Sequence, residues 1–496
     1  MLCAVIKGPS YADAHDQILQ AKKHAQLVEL RLDYFTSIDN ERLAHLRAAH
    51  NIPMIFTLRG HLDEGLYTGS EEERYKTIQD LAALQPEYLD LEYHTPSDFL
   101  KTISQQYPGI QIILSYHNFK ETPEDLDALY KDISRLPAAF YKIALHSKSC
   151  LDTMRFILWK KKKSAKNIIA ISMGNHGQIS RILSPLIKNL FTYAAIDDSQ
   201  TTAAGQLSAQ TLSERYHSLN LTPETAVYGL IGDPVDLSIS DETHNHFFFH
   251  QGLNAVYVKI VVKNEELQDF LNSAKEFPIR GLSVTMPLKE CVMAYLDAVD
   301  PGTKKIGAVN TLLSKNNQWF GFNTDGMGAL NALESHGPVK GKRVLILGAG
   351  GAAKAIACEA IQRGCLVTII NRDEQKARQL AQKLNCASQP QIQESEKYDI
   401  LINCTSAAMP IDATYIQPHS LVMDIKTKPY LTDFLQAAID KGCPVCYGYQ
   451  MFIEQAIGQF QLWFTQTDHS KSHSIISKQA IKVLKIQVAA KVWAVN

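Results

Sequence analysis

The feature that most constrains this chain is a regular alternation over its first 200 or so residues. Short apolar, β-branched runs (LCAVIKG, VELRLDY, PMIFTLR, YLDLEY, QIILSYH, YKIAL, NIIAISM and LFTYAAI) are separated by polar stretches, each long enough for one helix. Strands that alternate with helices form a parallel sheet, because every crossover must return the chain to the same end. Eight such units in ~200–250 residues fit a closed (β/α)8 TIM barrel, and the count favours it over an open doubly wound sheet. The apolar stretch in MLCAVIKGPS is too short for a secretory segment and reads as the first strand.

Charged residues sit where such a barrel would use them. Glu29 and Arg31 lie in the second run, Arg59 and Glu92 end the third and fourth, His117 ends the fifth, and Lys142 stands near the start of the sixth. Barrel active sites are built at the C-terminal ends of the strands. Barrel strands are buried on both faces, so a charge within one needs a partner or a task. Lys142, flanked by apolar residues in FYKIALH, is predicted to be a desolvated amine whose neutral form can attack a ketone and form a Schiff base. An isolated strand lysine is more often a structural ion-paired one. His117 shifts that balance, because the neighbouring strand would bring an imidazole suited to proton transfer into the same pocket. Glu29, Arg31, Arg59 and Arg181 read either as structural ion pairs or as a cationic set for a carboxylated substrate.

These segments resemble type I 3-dehydroquinate dehydratase. ELRLD (29–33), FTLR (56–59), SYHNF with ETP (115–123), YKIA (141–144), ISR (179–181) and TAAGQ (202–206) appear in the family's order across about residues 1–215. The resemblance implies that Lys142 forms the imine and His117 is the general acid/base. It implies that Glu29, Arg31, Arg59, Arg181, Thr202 and Gln206 bind the substrate's carboxylate and hydroxyls. The acid that orients the histidine falls in RGHLDEG, as either Asp63 or Glu64. Thr202 and Ala204 replace the serine and proline of the family's S-x-P-G-Q loop.

HSLNLTPE (217–224) reads as a linker, and AVYGLIGDPV opens a second α/β unit. Further on, KRVLILGAGGAAKAIACEAIQRG is a strand, a glycine turn and a helix, a phosphate-binding arrangement. Gly348, Ala349, Gly350, Gly351 and Ala352 would form its turn. About 20 residues later the strand VTII ends in Asn371 and Arg372, where a guanidinium accommodates a 2′-phosphate, so NADP is expected over NAD. Asp373 is an awkward neighbour there, offset by Lys376. LSVTMPLKE supplies Lys289 and GFNTDGMG supplies Asp325, a pair able to handle the proton at a reacting oxygen. YGLIGDPVDLSISDETHN (228–245), VTMPLK, IGAVNT, GFNTDGMG, GAGGAA, NRD, NCTSAAMP and GYQMFIEQ (448–455) resemble shikimate dehydrogenase over about 226–465. That resemblance implies that Ser238 and Ser240 bind the substrate carboxylate and that Thr285, Asn310 and Gln455 bind its hydroxyls. It implies catalysis by Lys289 with Asp325, and Asn371, Arg372 and Lys376 on the adenosine phosphate. Leu237, Asp241, Thr427 and Ala408 depart from the family's pattern around the substrate and nicotinamide.

The expected organisation is therefore a barrel over 1–218, a substrate-binding lobe over 225–330 completed by C-terminal helices at about 450–480, and a Rossmann NADP-binding lobe over 338–448. The two implied reactions are consecutive steps of aromatic amino acid biosynthesis: 3-dehydroquinate loses water to give 3-dehydroshikimate, which NADPH reduces to shikimate. The rivals are a Schiff-base aldolase joined to another hydroxy-acid dehydrogenase, and a non-catalytic sensor. The sensor should have lost one of Lys142, His117, Lys289 or Asp325.

Lys+Arg (50) and Asp+Glu (51) nearly cancel, which gives no footprint for nucleic acid, and no apolar run approaches a membrane span. Small molecules are the expected partners. Nine scattered cysteines suggest reduced thiols in the cytoplasm, and the one CxxC, Cys443 to Cys446, lacks a second pair with zinc spacing, so no metal is expected. The run Lys160 to Lys163 reads as a solvated helix end.

Overall fold

A computed structural model of the chain describes residues 1–163, 165–197, 205–393 and 397–465. Thr202, Ala204 and the helical pattern expected after Ile475 lie outside the described residues. The chain divides into two compact units. One comprises Met1–Ala226 with Asn254–Val262 and Asn272–Pro278; the other comprises Val227–Leu253, Lys263–Leu271 and the chain from Ile279 onward.

The first unit contains all eight expected strands. They are β1 (Leu2–Ile6), β2 (Leu27–Arg31), β3 (Met54–Thr57), β4 (Tyr88–Glu92), β5 (Gln111–Asn118), β6 (Phe140–His146), β7 (Ile168–Met173) and β8 (Thr192–Ala194). They pair in parallel in the order β7-β6-β5-β4-β3-β2-β1-β8, a nearly closed barrel. Between β7 and β8, among the described residues, a side chain stands in for backbone pairing. The Asn189 carboxamide accepts from the Ala170 N–H at 3.0 Å and donates to its carbonyl at 2.9 Å.

Alternation along the strands creates the site. Cys3, Leu27, Ile55, Ile113, Ile169 and Phe191 fill the barrel interior. Two residues further along their strands come Glu29, Thr57 and Ser115, so the inward row turns from apolar to polar toward the C-terminal ends. The register sets Thr57 opposite Asp90, and Ser115 opposite Lys142. The helix Glu71–Ala83, fixed at its start by a Ser70–Glu73 capping box, sends a fully buried Arg74 beneath this layer. Its guanidinium donates to Glu92 at 2.8 Å, to Glu71 and to the Leu58 carbonyl.

One surface expectation fails. Lys160 is fully buried rather than solvated, because its ammonium caps the carbonyls of Ala165 (2.9 Å) and Ile187 (3.1 Å). Burial lowers its pKa to about 8.

Beyond the barrel come β9 (Ala226–Gly232), β10 (Ala255–Val261, assigned to the first unit), β11 (Ile279–Val284), β12 (Ala298–Val299), β13 (Thr311–Lys315) and β14 (Gln318–Phe322). A mixed sheet runs β9-β11-β13-β14-β12. Six parallel strands follow: β15 (Arg343–Leu347), β16 (Leu366–Ile370), β17 (Ala387–Gln389), β18 (Ile400–Asn403), β19 (Leu421–Asp424) and β20 (Val445–Cys446). Their order, β17-β16-β15-β18-β19-β20, reverses direction beside β15, the switch point at which doubly wound sheets bind ligands. No described helix is long and apolar enough to cross a membrane.

Candidate active sites

The barrel mouth holds a cavity of about 110 Å³ lined by Glu29, Arg31, Arg59, Asp63, Glu64, His117, Lys142, Arg181 and Gln206, among others. Every described residue expected at the dehydratase site therefore reaches it. Lys142, expected in apolar surroundings, is instead ion-paired. Its Nζ lies 3.2 Å from Asp90, 3.9 Å from Glu29 and over the Tyr193 ring. Carboxylates are the reason this cation can be buried at all.

Asp90 organises the cluster, and sequence reasoning did not single it out. Its carboxylate accepts from Arg59 and from Ser115 Oγ, both at 2.7 Å, as well as from Lys142. Burial alone would raise its pKa, but Arg59, Lys142 and Ser115 outweigh that and hold it well below the usual carboxylate range. The available signal was YLDLE, which places Asp90 and Glu92 two apart on one strand face in line with the other inward charges.

His117 is nearly enclosed, its side chain 10% exposed. Burial first, then Arg59 and Lys142, lowers its pKa to about 4, against the pull of Asp63. Between the two acids left open by sequence, Asp63 is the one that faces it, with Oδ1 3.5 Å from His117 Nδ1. Glu64 closes the short helical turn His61–Asp63 in a left-handed conformation. Arg31 forks onto Asp33 at 2.8–2.9 Å, which in turn accepts from the Leu66 N–H and pins the loop carrying Asp63.

Arg181 is different in kind. It is buried, its Nη1 donates to the Tyr193 carbonyl at 3.1 Å, and its Nε has no partner among the described residues. Among the described residues no carboxylate pairs with it, and burial lowers its pKa to about 10.

In the second unit a cavity of about 300 Å³ is lined by Ser238, Ser240, Thr285, Lys289, Asn310, Asp325, Gln455 and Gln459, among others. Lys289 Nζ lies 2.5 Å from Asp325 Oδ2, and the Asn310 amide donates to Asp325 Oδ1 at 2.8 Å. Asp325 begins the helix Asp325–Glu334, and the glycines after it let that helix fit between two others. A Cβ at Gly326 would stand 2.4 Å from the Ala355 carbonyl, and one at Gly328 2.7 Å from Gln455. Ser238 and Ser240 meet through their hydroxyls at 2.6 Å.

Gln459, one helical turn beyond Gln455, was also not singled out. It accepts from Ser283 Oγ at 3.0 Å and donates to the Asn310 carbonyl at 3.2 Å. Leu237 and Thr427 line the cavity as well, whereas Asp241 is buried away from it.

The glycine turn stands beside this cavity. Gly348, at φ +116, follows β15 where a side chain would be strained. Ala349 and Gly350 lead into the helix Gly351–Gln362, and nothing lies within 4 Å of where a Cβ would sit on Gly350. A Cβ at Gly351 would touch Lys289 at 3.5 Å, so Lys289 adjoins the helix N-terminus. Ala352 lines the cavity itself. Asn371 donates to the Asp373 carbonyl, and Arg372 and Lys376 are exposed. Asp373 is the N-cap of the helix Glu374–Leu384: its carboxylate accepts from the Lys376 N–H at 3.1 Å. Its charge is therefore used locally.

A buried amine and imidazole in a barrel mouth, and a Lys–Asp pair beside a glycine turn, define a chain with two catalytic heads, a lyase and a dehydrogenase. Residues 2–223 match the model of type I 3-dehydroquinase. Residues 230–312 match the shikimate dehydrogenase substrate-binding domain, and 331–427 match shikimate/quinate 5-dehydrogenase. The shikimate biosynthesis protein AroDE of Chlamydia pneumoniae is 37% identical over 94% of this chain and 95% of its own length. The chloroplastic bifunctional 3-dehydroquinate dehydratase/shikimate dehydrogenase of Arabidopsis thaliana is 33% identical over 93% of this chain and 82% of its own. Shikimate dehydrogenase (NADP(+)) of Methanococcus aeolicus is 38% identical over 49% of this chain and 93% of its own. The chain belongs to the family of bifunctional 3-dehydroquinate dehydratase/shikimate dehydrogenases and serves the shikimate pathway with both activities.

Proposed function

We propose that the barrel dehydrates 3-dehydroquinate through an imine on Lys142. The observation that carries this reading is that Lys142 and His117 project from adjacent strands into one cavity that also holds the buried Arg181, which has no carboxylate partner among the described residues. The substrate carboxylate would neutralise Arg181, and Glu29, Arg31, Arg59, Gln206 and Thr202 would hold its hydroxyls. Asp90 and Glu29, which hold the ammonium, are also the nearest acceptors for the proton Lys142 must lose before attack. Its Nζ then bonds to the ketone carbon as water leaves. His117, neutral over most of the pH range because it is buried, takes the α-proton and returns it to the departing hydroxyl. Hydrolysis of the imine releases 3-dehydroshikimate. Borohydride added with substrate should leave one covalent adduct, on Lys142. An adduct mapping elsewhere, or none while turnover continues, would overturn the assignment.

In the second head, Ser238 and Ser240 would take the carboxylate of 3-dehydroshikimate, and Thr285, Asn310 and Gln455 its hydroxyls. Lys289, held by Asp325, would supply the proton to the ketone oxygen. NADPH, when bound, supplies the hydride. Gly348 to Ala352, with their open backbone at a helix N-terminus, would hold its pyrophosphate, and Asn371, Arg372 and Lys376 its 2′-phosphate. The boundaries that fit this division are a barrel over 1–218, a substrate lobe over 225–330 completed from about 450, and a Rossmann lobe over 338–448. Free thiols throughout fit the cytoplasm. Following ultraviolet absorbance of 3-dehydroquinate with the protein, before and after adding NADPH, tests both heads together. Enone growth and then NADPH oxidation, with shikimate as product, is the expected result.

A further inference from the structure

Asp63 has two imidazole neighbours. Its Oδ1 faces His117 Nδ1 at 3.5 Å, and its Oδ2 faces His94 Nδ1 at 3.7 Å. His94 belongs to the turn Tyr93–Thr95 that leaves β4, at the end of the barrel where the reacting groups stand. Its side chain is 37% exposed, whereas those of His117 and Asp63 are 10% and 11% exposed. The turn is held on both sides. The Tyr93 N–H donates to the Ser115 carbonyl at 2.7 Å, and the Thr95 N–H to the Glu92 carbonyl at 3.0 Å.

We infer that His94 is a positioning residue of the dehydratase: it holds Asp63 by the oxygen that His117 does not face. This inference rests on the reading of His117 as the acid/base above. A carboxylate on a short loop turn can rotate about its side-chain bonds, and a donor on Oδ2 fixes Oδ1 toward His117. His94 is also open to water, so its proton exchanges with solvent while His117 is enclosed. Other charges face each member of the set. Glu71 lies near His94, Arg59 near Asp63, and Arg59, Lys142 and Asp90 near His117.

The test compares His94→Asn, His94→Phe and His117→Ala in the full chain, by kcat and KM for 3-dehydroquinate across pH. Asparagine places an uncharged donor near the Nδ1 position, and phenylalanine removes the donor. His94→Phe should lose about ten-fold in kcat with KM little changed, a small part of the ~10²–10⁴ that a positioned acid–base group contributes. His94→Asn should recover most of that rate. Far-ultraviolet circular dichroism and the melting temperature report whether each barrel is folded. Native kcat in His94→Phe would overturn the inference while leaving His117 in place. Full turnover in His117→Ala would overturn the reading of the site, and this inference with it.

Discussion

Lys289 and Asp325 meet at 2.5 Å, and the other oxygen of Asp325 is taken by Asn310. Asp325 thus reaches the lysine with both oxygens committed, so it fixes the ammonium in direction as well as in charge. Asp325→Asn removes that anion and should lower kcat for 3-dehydroshikimate reduction by roughly 10²–10⁴, the scale of acid–base assistance. KM should change much less, since the serines that would bind the carboxylate are untouched. Steady-state kinetics of both heads check this. Dehydration of 3-dehydroquinate should continue at the native rate, which serves as the control for folding.

His117 makes a pH prediction with a definite sign. Its pKa falls from 6.5 to about 4 on folding, because burial and Arg59 disfavour the charged ring. A depressed histidine pKa means that the unfolded chain binds the proton more tightly. The stability this group contributes is full above pH 6.5 and is lost as pH falls from there to about 4, by up to roughly 3 kcal/mol. Denaturant titrations of the native chain and His117→Gln between pH 4 and 7 should converge on the acid side by about that amount. Parallel curves would show that the ring is not buried neutral.

Much of this site was legible, and what was missed has a common cause. All eight barrel strands were readable, because β-branched runs of four to eight residues between helix-length spacers announce themselves along the chain. Lys142 and His117 were readable because adjacent strands carry them. Asp90 was not singled out, since its importance lies across strands: it meets Arg59 from the segment just after β3, Ser115 from β5 and Lys142 from β6. Gln459 likewise matters through Ser283 and Asn310, far away in sequence. Asp63 and Glu64 are adjacent in a three-residue turn, and only the left-handed backbone at Glu64 separates their directions. Asp373 looked like a hindrance to a 2′-phosphate because its cap role was not weighed, although an aspartate opening a helix is a local signal.

That cap leads to a prediction about the cofactor. Asp373→Ala should destabilise the protein by about 1 kcal/mol through loss of the N-cap, and Asp373→Ser should restore most of it. Neither should convert the preference from NADPH to NADH, because the carboxylate is held by its own helix. Arg372→Ala should raise KM for NADPH by roughly ten-fold, the scale of a charge-assisted hydrogen bond, and leave KM for NADH unchanged. Equal losses with both cofactors would remove Arg372 from the phosphate site.

Arg181 separates binding from stability most sharply. A guanidinium taken out of water with no carboxylate beside it among the described residues is a cost to the ligand-free protein. Its pKa, brought from 12.5 to about 10 by burial, sets that cost at roughly 3 kcal/mol at neutral pH. By linkage the cost is constant below pH 10 and is relieved only as pH rises from about 10 toward 12.5, where the folded chain gives up the proton first. Replacing even a buried ion pair by apolar side chains of similar volume is often neutral or stabilises a fold by ~1–4 kcal/mol. Arg181→Met should therefore raise the melting temperature of the ligand-free barrel. The same change should lower kcat/KM for 3-dehydroquinate by about 10² or more, since a substrate carboxylate would lose its buried partner. Native Arg181 should in turn gain more thermal stabilisation from saturating 3-dehydroshikimate than Arg181→Met does, because only there does the ligand neutralise a stranded charge. Differential scanning calorimetry with and without ligand reads both effects. A destabilised Arg181→Met barrel that still binds at native affinity would show that Arg181 is a structural brace for the Tyr193 carbonyl rather than an anion site.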